Sequence, residues 1–253
     1  MAVHIRKNSV PLFSIISSLA DNKQAIGRHY ASWCNGAPAL EASVAAAAMA
    51  QDELGHARTL YPLLEDFVQA QNQPQQIVPA TRTLRYHLAV LDDPPCGWFD
   101  FVALNFLIDT AFTTFFEAAQ DSTYEPLRQR ARKILQEEHI HFIHAEGWVR
   151  RLAKTGGAVR ANLEVALRKV WTETLCWFGP ADDHCMLQLH HEGIINASPD
   201  TLRNRYFDKI MPTLSALQIA VPVTFNGEAK NWELTCELPW PLWDAEARRL
   251  RGS

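Results

Sequence analysis

The 253-residue sequence predicts an all-α protein, in which a bundle of four helices with one long crossover is followed by a helical C-terminal extension. Three observations favour this fold class. Apolar residues recur every three to four positions along four separate stretches, as they do on the buried face of a helix. Short turns join the first helix to the second and the third to the fourth. A connection of nearly thirty residues, 69–97, separates the two pairs.

The first two helices are predicted on either side of the turn NGAP, residues 35–38. The first helix carries its apolar stripe from Leu12 onward. The second is expected at about 38–68, with a kink at Pro62 because proline cannot donate a backbone hydrogen bond. Since the turn is short, we expect the two helices to be antiparallel neighbours.

The third helix is expected at about 98–119 and is apolar almost all round, which predicts a central position. The segment QDSTYEP, residues 120–126, turns the chain, and Pro126 suits the first turn of a fourth helix. This helix is expected to reach about residue 153 and to end at the glycine pair 156–157. Two helical pairs joined by a long crossover are the order of a ferritin-like bundle.

We predict one ferritin-like domain over residues 1–253, with a core bundle at 11–154 and a C-terminal extension at 155–253. The extension is expected to contain, in order, a helix at 158–178, a helix at 198–211, an extended segment at 219–234 and a partly helical tail at 240–253.

The composition limits the classes of function. The formal net charge of -4 at pH 7 provides no basic field, so we expect neither nucleic acid nor a membrane surface as a partner. The 5 cysteines are scattered without CxxC spacing, which favours a reducing cytoplasm over a disulfide framework or a thiolate zinc site. We expect no signal peptide. The apolar stretch at 101–116 is shorter than the ~20 residues of a spanning helix, which predicts a buried core helix.

Two Glu-x-x-His motifs carry the chemistry of the sequence: Glu53 with His56 in the second helix, and Glu138 with His141 in the fourth. Residues three apart lie on one face of a helix, so each carboxylate and imidazole reach the same point. A single such pair is more often a surface pair. Because both pairs lie within apolar stripes, we expect them to point inward with the geometry of metal ligands. The residues expected to flank the second pair are Glu137, His139 and His144.

The third helix offers one candidate ligand at matching depth, Asp109. Counting equal distances from the turn between the third and fourth helices places Glu138 opposite residues 106–109 and not opposite Glu117. One alternative remains open, in which Asp109 is a structural residue hydrogen-bonded to a neighbouring hydroxyl such as that of Thr113.

The first helix does not supply the carboxylate that a fourth ligand-bearing helix would provide. Residues 21–23 lie opposite Glu53 across the NGAP turn, and the stripe of the first helix passes through Asn22 and Lys23. Asp21 is adjacent but lies off the stripe. The sequence therefore places a lysine where a carboxylate is expected.

These features resemble the phenylacetate-catabolism family of ferritin-like proteins, and most of all its catalytic phenylacetyl-CoA epoxidase subunits. The similarity covers most of the chain through four segments: APALEASVAAAAMAQDELGHA, LIDTAFTTFFEAAQDSTYEPLRQRARKILQEEHIHF, WTETLCWFGPADD and LRNRYFDKIMPTLSALQIAVP. Catalytic subunits of this family hold two irons, activate O2 and epoxidise the ring of an aromatic CoA thioester. A related subunit of similar fold lacks the metal and serves as a scaffold.

The resemblance implies an iron site and a set of partners. The implied metal ligands are Glu53, His56, Asp109, Glu138 and His141. The carboxylates of Glu53, Asp109 and Glu138 are also the implied catalytic residues. The position of the sixth ligand, a glutamate of the first helix in catalytic subunits, corresponds to Lys23. The implied partners are related ferritin-like subunits in a homo- or hetero-oligomer, and a small-molecule substrate such as a CoA thioester. A reductase is also expected, because the sequence has no flavin motif or iron–sulfur cysteine pattern.

Lys23 modifies the expected metal site and leaves several states open. A buried ammonium among three carboxylates can replace the charge of a metal ion, provided that every charge is paired. The chain would bind two irons if Lys23 moves aside and Asp21 or water replaces it. In a second state the chain would bind one metal, on the side of His56 or of His141. In a third state it would bind no metal and serve as a scaffold. A carbamate on Lys23 is the least favoured state.

The retained ligand pairs favour metal binding, and hence an O2-dependent, diiron-type oxygenase component that acts on an aromatic or CoA-thioester substrate. The alternative is a metal-free structural subunit of a multicomponent oxygenase, in which Lys23 replaces a ligand. The long C-terminal extension disfavours a third class, iron storage.

Overall fold

The computed structural model describes residues 9–67 and 85–251. The helices within these ranges are α1 (Val10–Ser32), α2 (Leu40–Leu60), α3 (Trp98–Ala119), α4 (Glu125–Thr155), α5 (Gly157–Trp177), α6 (His184–His191) and α7 (Pro199–Ala216). Helices α1–α4 form the bundle, and α5–α7 belong to the extension. The predicted all-α, ferritin-like fold class is confirmed. Much of the predicted crossover and the first residues of the chain lie outside the described residues.

Helices α1 and α2 pack against each other in antiparallel order. Helix α1 begins after Ser9, whose hydroxyl accepts a hydrogen bond from the amide of Leu12 at 3.4 Å. The helices approach closely at Gly27, where an added Cβ would lie 2.8 Å from Leu54 Cγ and 3.0 Å from the Leu54 amide nitrogen. The absence of a side chain at Gly27 therefore permits the contact that aligns α1 with α2.

Helix α2 ends earlier than the sequence predicted. The α-helix stops at Leu60, and a 3-10 helix follows at Tyr61–Asp66. The predicted continuation of one kinked helix is therefore wrong for residues 61–67, and residue 68 lies outside the described residues. Pro62 has no N–H for the helical hydrogen bond to the carbonyl of Arg58, so the chain winds more tightly from Tyr61 onward.

Helix α3 is the core helix of the bundle. Among the described residues it is the one helix long and apolar enough to span a membrane, and 83% of its most apolar window is buried inside the protein. Its segment Leu104–Asp109 is π-helical, which the sequence periodicity did not predict. A π turn changes the direction in which the following side chains point. Asp109 is the last residue of this segment and is 1% exposed.

The helices of the extension follow the predicted order, with one addition. Helix α4 ends at Thr155, where Gly156 adopts φ 73°. The hydroxyl of Ser198 caps α7 by accepting a hydrogen bond from the amide of Thr201 at 3.3 Å. Helix α6 was not predicted. It is capped by Asp183, whose carboxylate accepts hydrogen bonds from the first amides of that helix.

The segment after α7 that was predicted as extended forms a β-hairpin, a pairing that the sequence did not predict. Strand β1 (Val223–Asn226) pairs antiparallel with β2 (Asn231–Leu234), so that Val223 lies opposite Leu234. The two strands lie next to α7: the amide of Trp232 donates to Asn204 Oδ1 at 2.6 Å.

The prediction of a partly helical tail is wrong apart from one 3-10 turn at Trp240–Leu242. The tail forms a second small antiparallel pair of strands, β3 (Trp243–Asp244) and β4 (Arg249–Leu250). Arg248 has φ 53°, a left-handed conformation that a helix does not accommodate. The chain therefore reverses direction between the two strands.

Buried polar contacts attach the tail to the bundle. The Arg248 guanidinium donates to the Asp183 carboxylate and to the Trp177 carbonyl, each at 2.8 Å. The side chains of Arg248 and Asp183 are 1% and 2% exposed. The hydroxyl of Ser14 in α1 donates to the Glu246 carbonyl at 2.7 Å. These contacts join α1, the end of α5 and the tail.

Candidate metal centre

The four bundle helices bring six charged or titratable side chains together in the core, and we call these residues the acid–histidine cluster. Its members are Lys23 from α1, Glu53 and His56 from α2, Asp109 from α3, and Glu138 and His141 from α4. Each of them is buried. The predicted inward direction of both Glu-x-x-His pairs is therefore observed, and the lysine lies at the position where the sequence placed it.

The ammonium group of Lys23 lies among the three carboxylates of the cluster. Lys23 Nζ donates to Glu138 Oε1 at 2.5 Å, to Asp109 Oδ1 at 2.6 Å and to Glu53 Oε1 at 3.0 Å. Three donors of the ammonium thus meet three acceptors. One lysine bridges α1 to each of the other three bundle helices.

The imidazole of His141 lies on another side of the same carboxylates. Its Nδ1 is 3.2 Å from Glu53 Oε1, 3.3 Å from Asp109 Oδ2 and 3.9 Å from Glu138 Oε2. Its Nε2 is 3.2 Å from Asp52 Oδ2. Both ring nitrogens therefore face carboxylates.

His56 lies between the cluster and the protein surface. Its Nε2 is 2.6 Å from Glu137 Oε2, on a side chain that is 38% exposed. Its Nδ1 is 3.3 Å from Glu138 Oε1 but makes no hydrogen bond. The carboxylate of Glu137 fixes the ring so that Nδ1 points into the cluster.

Sequence reasoning named Glu137 as a flanking residue but missed Asp52, which contacts His141 across the α2–α4 interface. It also named the Thr113 hydroxyl as a neighbour of Asp109. That hydroxyl lies 3.0 Å from the Asp109 carbonyl oxygen and 2.8 Å from Glu138 Oε2, and the contact with Glu138 was not predicted. A buried histidine that uses one nitrogen in a site usually needs a partner for the other, which is a signal for an acid such as Asp52.

Opposite charges in the cluster stabilise the ionised forms of Lys23 and Glu138. Burial alone would lower the pKa of Lys23, but the carboxylates of Asp109, Glu138 and Glu53 together raise it well above its usual value. Burial likewise opposes ionisation of Glu138, yet Lys23 and the two histidines lower its pKa well below its usual value. Lys23 is therefore a cation and Glu138 an anion at neutral pH.

Two further groups of the cluster, His141 and Glu53, have raised pKa values. Burial opposes protonation of His141, but hydrogen bonds to Asp109 and Glu53 raise its pKa to about 12. Burial, with the Asp109 charge, raises the pKa of Glu53 to about 7 against the attraction of Lys23. An ammonium and an imidazolium thus face three carboxyl groups, so that the cluster carries little net charge.

The residues of the cluster fit a metal ion by their chemistry. Glu53, Asp109, Glu138 and His141 each offer a donor atom, and these atoms lie within 4.8 Å of one another. Glu53 Oε2 and His56 Nδ1 are buried without a hydrogen-bond partner. Carboxylate oxygens and imidazole nitrogens suit iron and other divalent first-row metals. The donor set is therefore compatible with a metal, although Lys23 already neutralises part of its charge.

Asp21 and Asn22, the other polar residues considered in α1, are not in the cluster. Asp21 accepts hydrogen bonds from the Tyr61 hydroxyl at 2.9 Å and from the Tyr86 amide at 3.3 Å. The side chain of Asn22 accepts one from the Leu88 amide at 2.9 Å. These hydrogen bonds hold residues 61 and 86–88 against α1. Asp21 therefore does not take the place of the carboxylate ligand that α1 lacks.

A cavity of about 360 Å³ adjoins the cluster between α3 and α4. Its lining includes Asp109 and Glu138 of the cluster, the apolar side chains of Leu135 and Phe142, and Lys209 of α7. The volume is within the range of small-molecule sites, roughly 300–1,000 Å³. A ligand in this cavity would contact two carboxylates of the cluster.

The fold and the site together define a ferritin-like bundle with a carboxylate–histidine centre in its core. The family described as "Phenylacetic acid catabolic protein" matches residues 2–238. The chain belongs to this family, which confirms the resemblance predicted from the sequence.

Two relatives from Escherichia coli (strain K12) are similar over most of the chain, and both are subunits of 1,2-phenylacetyl-CoA epoxidase. One of these subunits is 28% identical over 213 residues, which are 82% of this chain and 68% of that protein. The other is 25% identical over 206 residues, which are 81% of each chain. The similarity thus extends to two different subunits of one enzyme at comparable levels.

Proposed function

We propose that this chain is a metal-dependent oxygenase component of a multicomponent, epoxidase-type enzyme of the cytoplasm. The observation that carries the proposal is the burial of both Glu-x-x-His pairs and Asp109 in one cluster. Burying so many ionisable groups costs free energy unless they are paired, and a metal site is a common reason for such an arrangement.

Iron is the metal that the family and the donor set favour. Glu53, His56, Asp109, Glu138 and His141 are the residues that would hold it. Bound iron would supply the reducing centre at which O2 is activated. The protein supplies the rest. Asp52 and Glu137 orient the two imidazoles, and apolar helix faces exclude water from the cluster.

The proposed substrate is an aromatic acyl group, carried as a CoA thioester. The cavity beside Asp109 and Glu138 would admit the reacting group, and Leu135 and Phe142 provide apolar contact for a ring. One oxygen atom of O2 enters the substrate and the other leaves as water, which consumes two electrons and two protons. A reductase partner would deliver the electrons, and related ferritin-like subunits would complete the oligomer.

Lys23 supports a second candidate, a metal-free structural subunit. Its ammonium already bonds to one oxygen of each of the three carboxylates and so offsets much of their charge without a metal. The similarity to two different epoxidase subunits is compatible with either role.

Complementation of a cell extract separates the two candidates. Extract from source cells that lack this chain is supplied with the purified full chain, NADPH, phenylacetyl-CoA and isotope-labelled O2. We expect wild-type protein to restore incorporation of labelled oxygen, as measured by mass spectrometry. Asp109→Asn, with its melting temperature checked, should restore less than about a hundredth of this rate, since it removes a charged group of the site. Equal restoration by both proteins would identify a scaffold.

A further inference from the structure

The acid–histidine cluster is divided into two unequal halves. In the His56 half, His56 Nδ1 approaches Glu138 Oε1, which is the same oxygen that Lys23 Nζ binds. In the His141 half, His141 Nδ1 faces Glu53, Asp109 and Glu138. The two imidazole rings are 6.4 Å apart between centroids. Lys23 Nζ also binds Glu53 Oε1, which faces His141, but the two other oxygens that face His141, Asp109 Oδ2 and Glu138 Oε2, are not the oxygens that Lys23 binds.

The His141 half has the spacing of a site for one ion. Ligands that bind a first-row metal at about 2.1 Å lie roughly 3.0–3.5 Å from one another in tetrahedral or octahedral geometry. His141 Nδ1 lies 3.2 Å from Glu53 Oε1 and 3.3 Å from Asp109 Oδ2. Glu138 Oε2, at 3.9 Å, needs only a small side-chain adjustment. The four residues with converging donors include His141 and not His56.

The carboxylate oxygen that His56 Nδ1 approaches, Glu138 Oε1, is already bound by a cation. Lys23 Nζ is 2.5 to 3.0 Å from one oxygen of each carboxylate, and its side chain is fully buried. A second metal in the His56 half would meet the ammonium group at close range. It would also lack a carboxylate ligand from α1, because Asp21 is bonded to Tyr61.

An unsatisfied atom independently indicates a missing cation. Glu53 Oε2 belongs to a side chain that is 0% exposed, and it has no hydrogen-bond partner. Lys23 contacts the other oxygen, Oε1. A buried carboxylate oxygen without a donor is costly, and a metal ion that Glu53 ligates through Oε2 would satisfy it.

We propose that the acid–histidine cluster binds one divalent metal ion in its His141 half, while the Lys23 ammonium occupies the place of a second ion in the His56 half. The inference rests on the proposed metal-dependent function and adds the number of metal ions that each chain binds. The centre is therefore mononuclear, and its ligands are Glu53, Asp109, Glu138 and His141.

The test uses the full chain, purified without a chelating tag and loaded with Mn²⁺ after treatment with a chelator. Metal per chain is measured by mass spectrometry, and electron paramagnetic resonance distinguishes an isolated Mn²⁺ ion from a coupled pair. We expect one ion per wild-type chain, with the spectrum of an isolated ion. Lys23→Glu supplies the missing carboxylate and should bind two coupled ions.

A matched pair of histidine variants locates the ion. His141→Gln should weaken Mn²⁺ binding at least about 10-fold, whereas His56→Gln should change it less than about 3-fold. Melting curves identify any variant that fails to fold, and the wild-type spectrum tests the proposal without a variant. Two coupled ions in wild type, or equal losses in both variants, would overturn the inference and leave the proposed function standing. No ion in wild type would overturn both. One isolated ion without oxygenation in the complemented extract would support the inference and overturn the proposed function.

Discussion

At the scale of single residues, Lys23 decides how the cluster is balanced. Its charge is fully desolvated and offset by three carboxylates, so removing it leaves buried anions without their main partner. Breaking a buried ion pair on one side costs about 3–5 kcal/mol. We therefore expect Lys23→Met to lower the free energy of unfolding by about this amount in the presence of a chelator, as measured by urea denaturation.

Lys169 provides the control for this prediction. Its side chain is 51% exposed and lies 3.8 Å from Asp100. Exposed ion pairs contribute about 0–1 kcal/mol, so Lys169→Met should change the unfolding free energy little. Equal effects of the two substitutions would show that the Lys23 ammonium does not stabilise the core.

Thr113 provides a second test at this scale. Its hydroxyl donates to Glu138 Oε2 at 2.8 Å, whereas a valine of the same shape would leave that oxygen without its donor. We expect Thr113→Val to reduce the free energy of unfolding by about 1–2 kcal/mol in urea titrations. Thr113→Ser retains the hydroxyl and should stay within about 0.5 kcal/mol of wild type. Equal losses in both variants would attribute the effect to packing and contradict this role.

The positions of the cluster residues were predictable from the sequence because each lies on an apolar helical stripe. The same reasoning predicted that Lys23 faces Glu53, since both are equally distant from the turn between α1 and α2. The contacts of Asp52 with His141 and of Thr113 with Glu138 were not predictable. They depend on the rotation of α4 against α2 and α3, which the periodicity of one helix does not specify.

At the scale of elements, the bundle depends on the close contact between α1 and α2 at Gly27. An added methyl group would approach the Leu54 backbone nitrogen at 3.0 Å and push the two helices apart. We expect Gly27→Ala to lower the free energy of unfolding by about 1–3 kcal/mol, despite the better helix propensity of alanine.

Gly147 is the matched control, because it lies in α4 and an added Cβ meets nothing within 4 Å. Gly147→Ala should stabilise the protein by up to about 1 kcal/mol through helix propensity. Thermal melting of the two variants side by side checks both expectations. A stabilised Gly27→Ala variant would contradict the close packing of α1 on α2.

Element order was predictable, whereas several local geometries were not. Apolar periodicity and turn residues identified the bundle helices in sequence. The π-helical segment Leu104–Asp109 was missed because it lies in a helix that is apolar almost all round, whose periodicity is too weak to show one wider turn. The tail at 240–253 was predicted as partly helical from composition, but tertiary contacts of Arg248 determine its strands.

At the scale of the whole molecule, the C-terminal tail is joined to the rest of the extension through the buried pair of Arg248 and Asp183. Arg248→Met would leave the Asp183 carboxylate buried without its partner, and we expect a loss of about 3–5 kcal/mol in unfolding free energy. Arg251 is the control because its side chain is 67% exposed, so that Arg251→Met should have little effect.

The shape of the unfolding curve carries further information about the extension. If bundle and extension unfold together, as we propose for a single domain, Arg248→Met shifts one cooperative transition to lower urea concentration. Circular dichroism and tryptophan fluorescence would then report the same midpoint. A separate early transition in either signal would show that the extension unfolds independently.

The central claim is that the acid–histidine cluster holds a metal ion beside a retained lysine cation. A crystal structure of the full chain grown with Mn²⁺, with an anomalous difference map, tests it most directly. The account predicts one anomalous peak among Glu53, Asp109, Glu138 and His141, with Lys23 Nζ still bonded to the carboxylates. A map with no peak in the cluster, or side chains of the two Glu-x-x-His pairs directed to solvent, would contradict it.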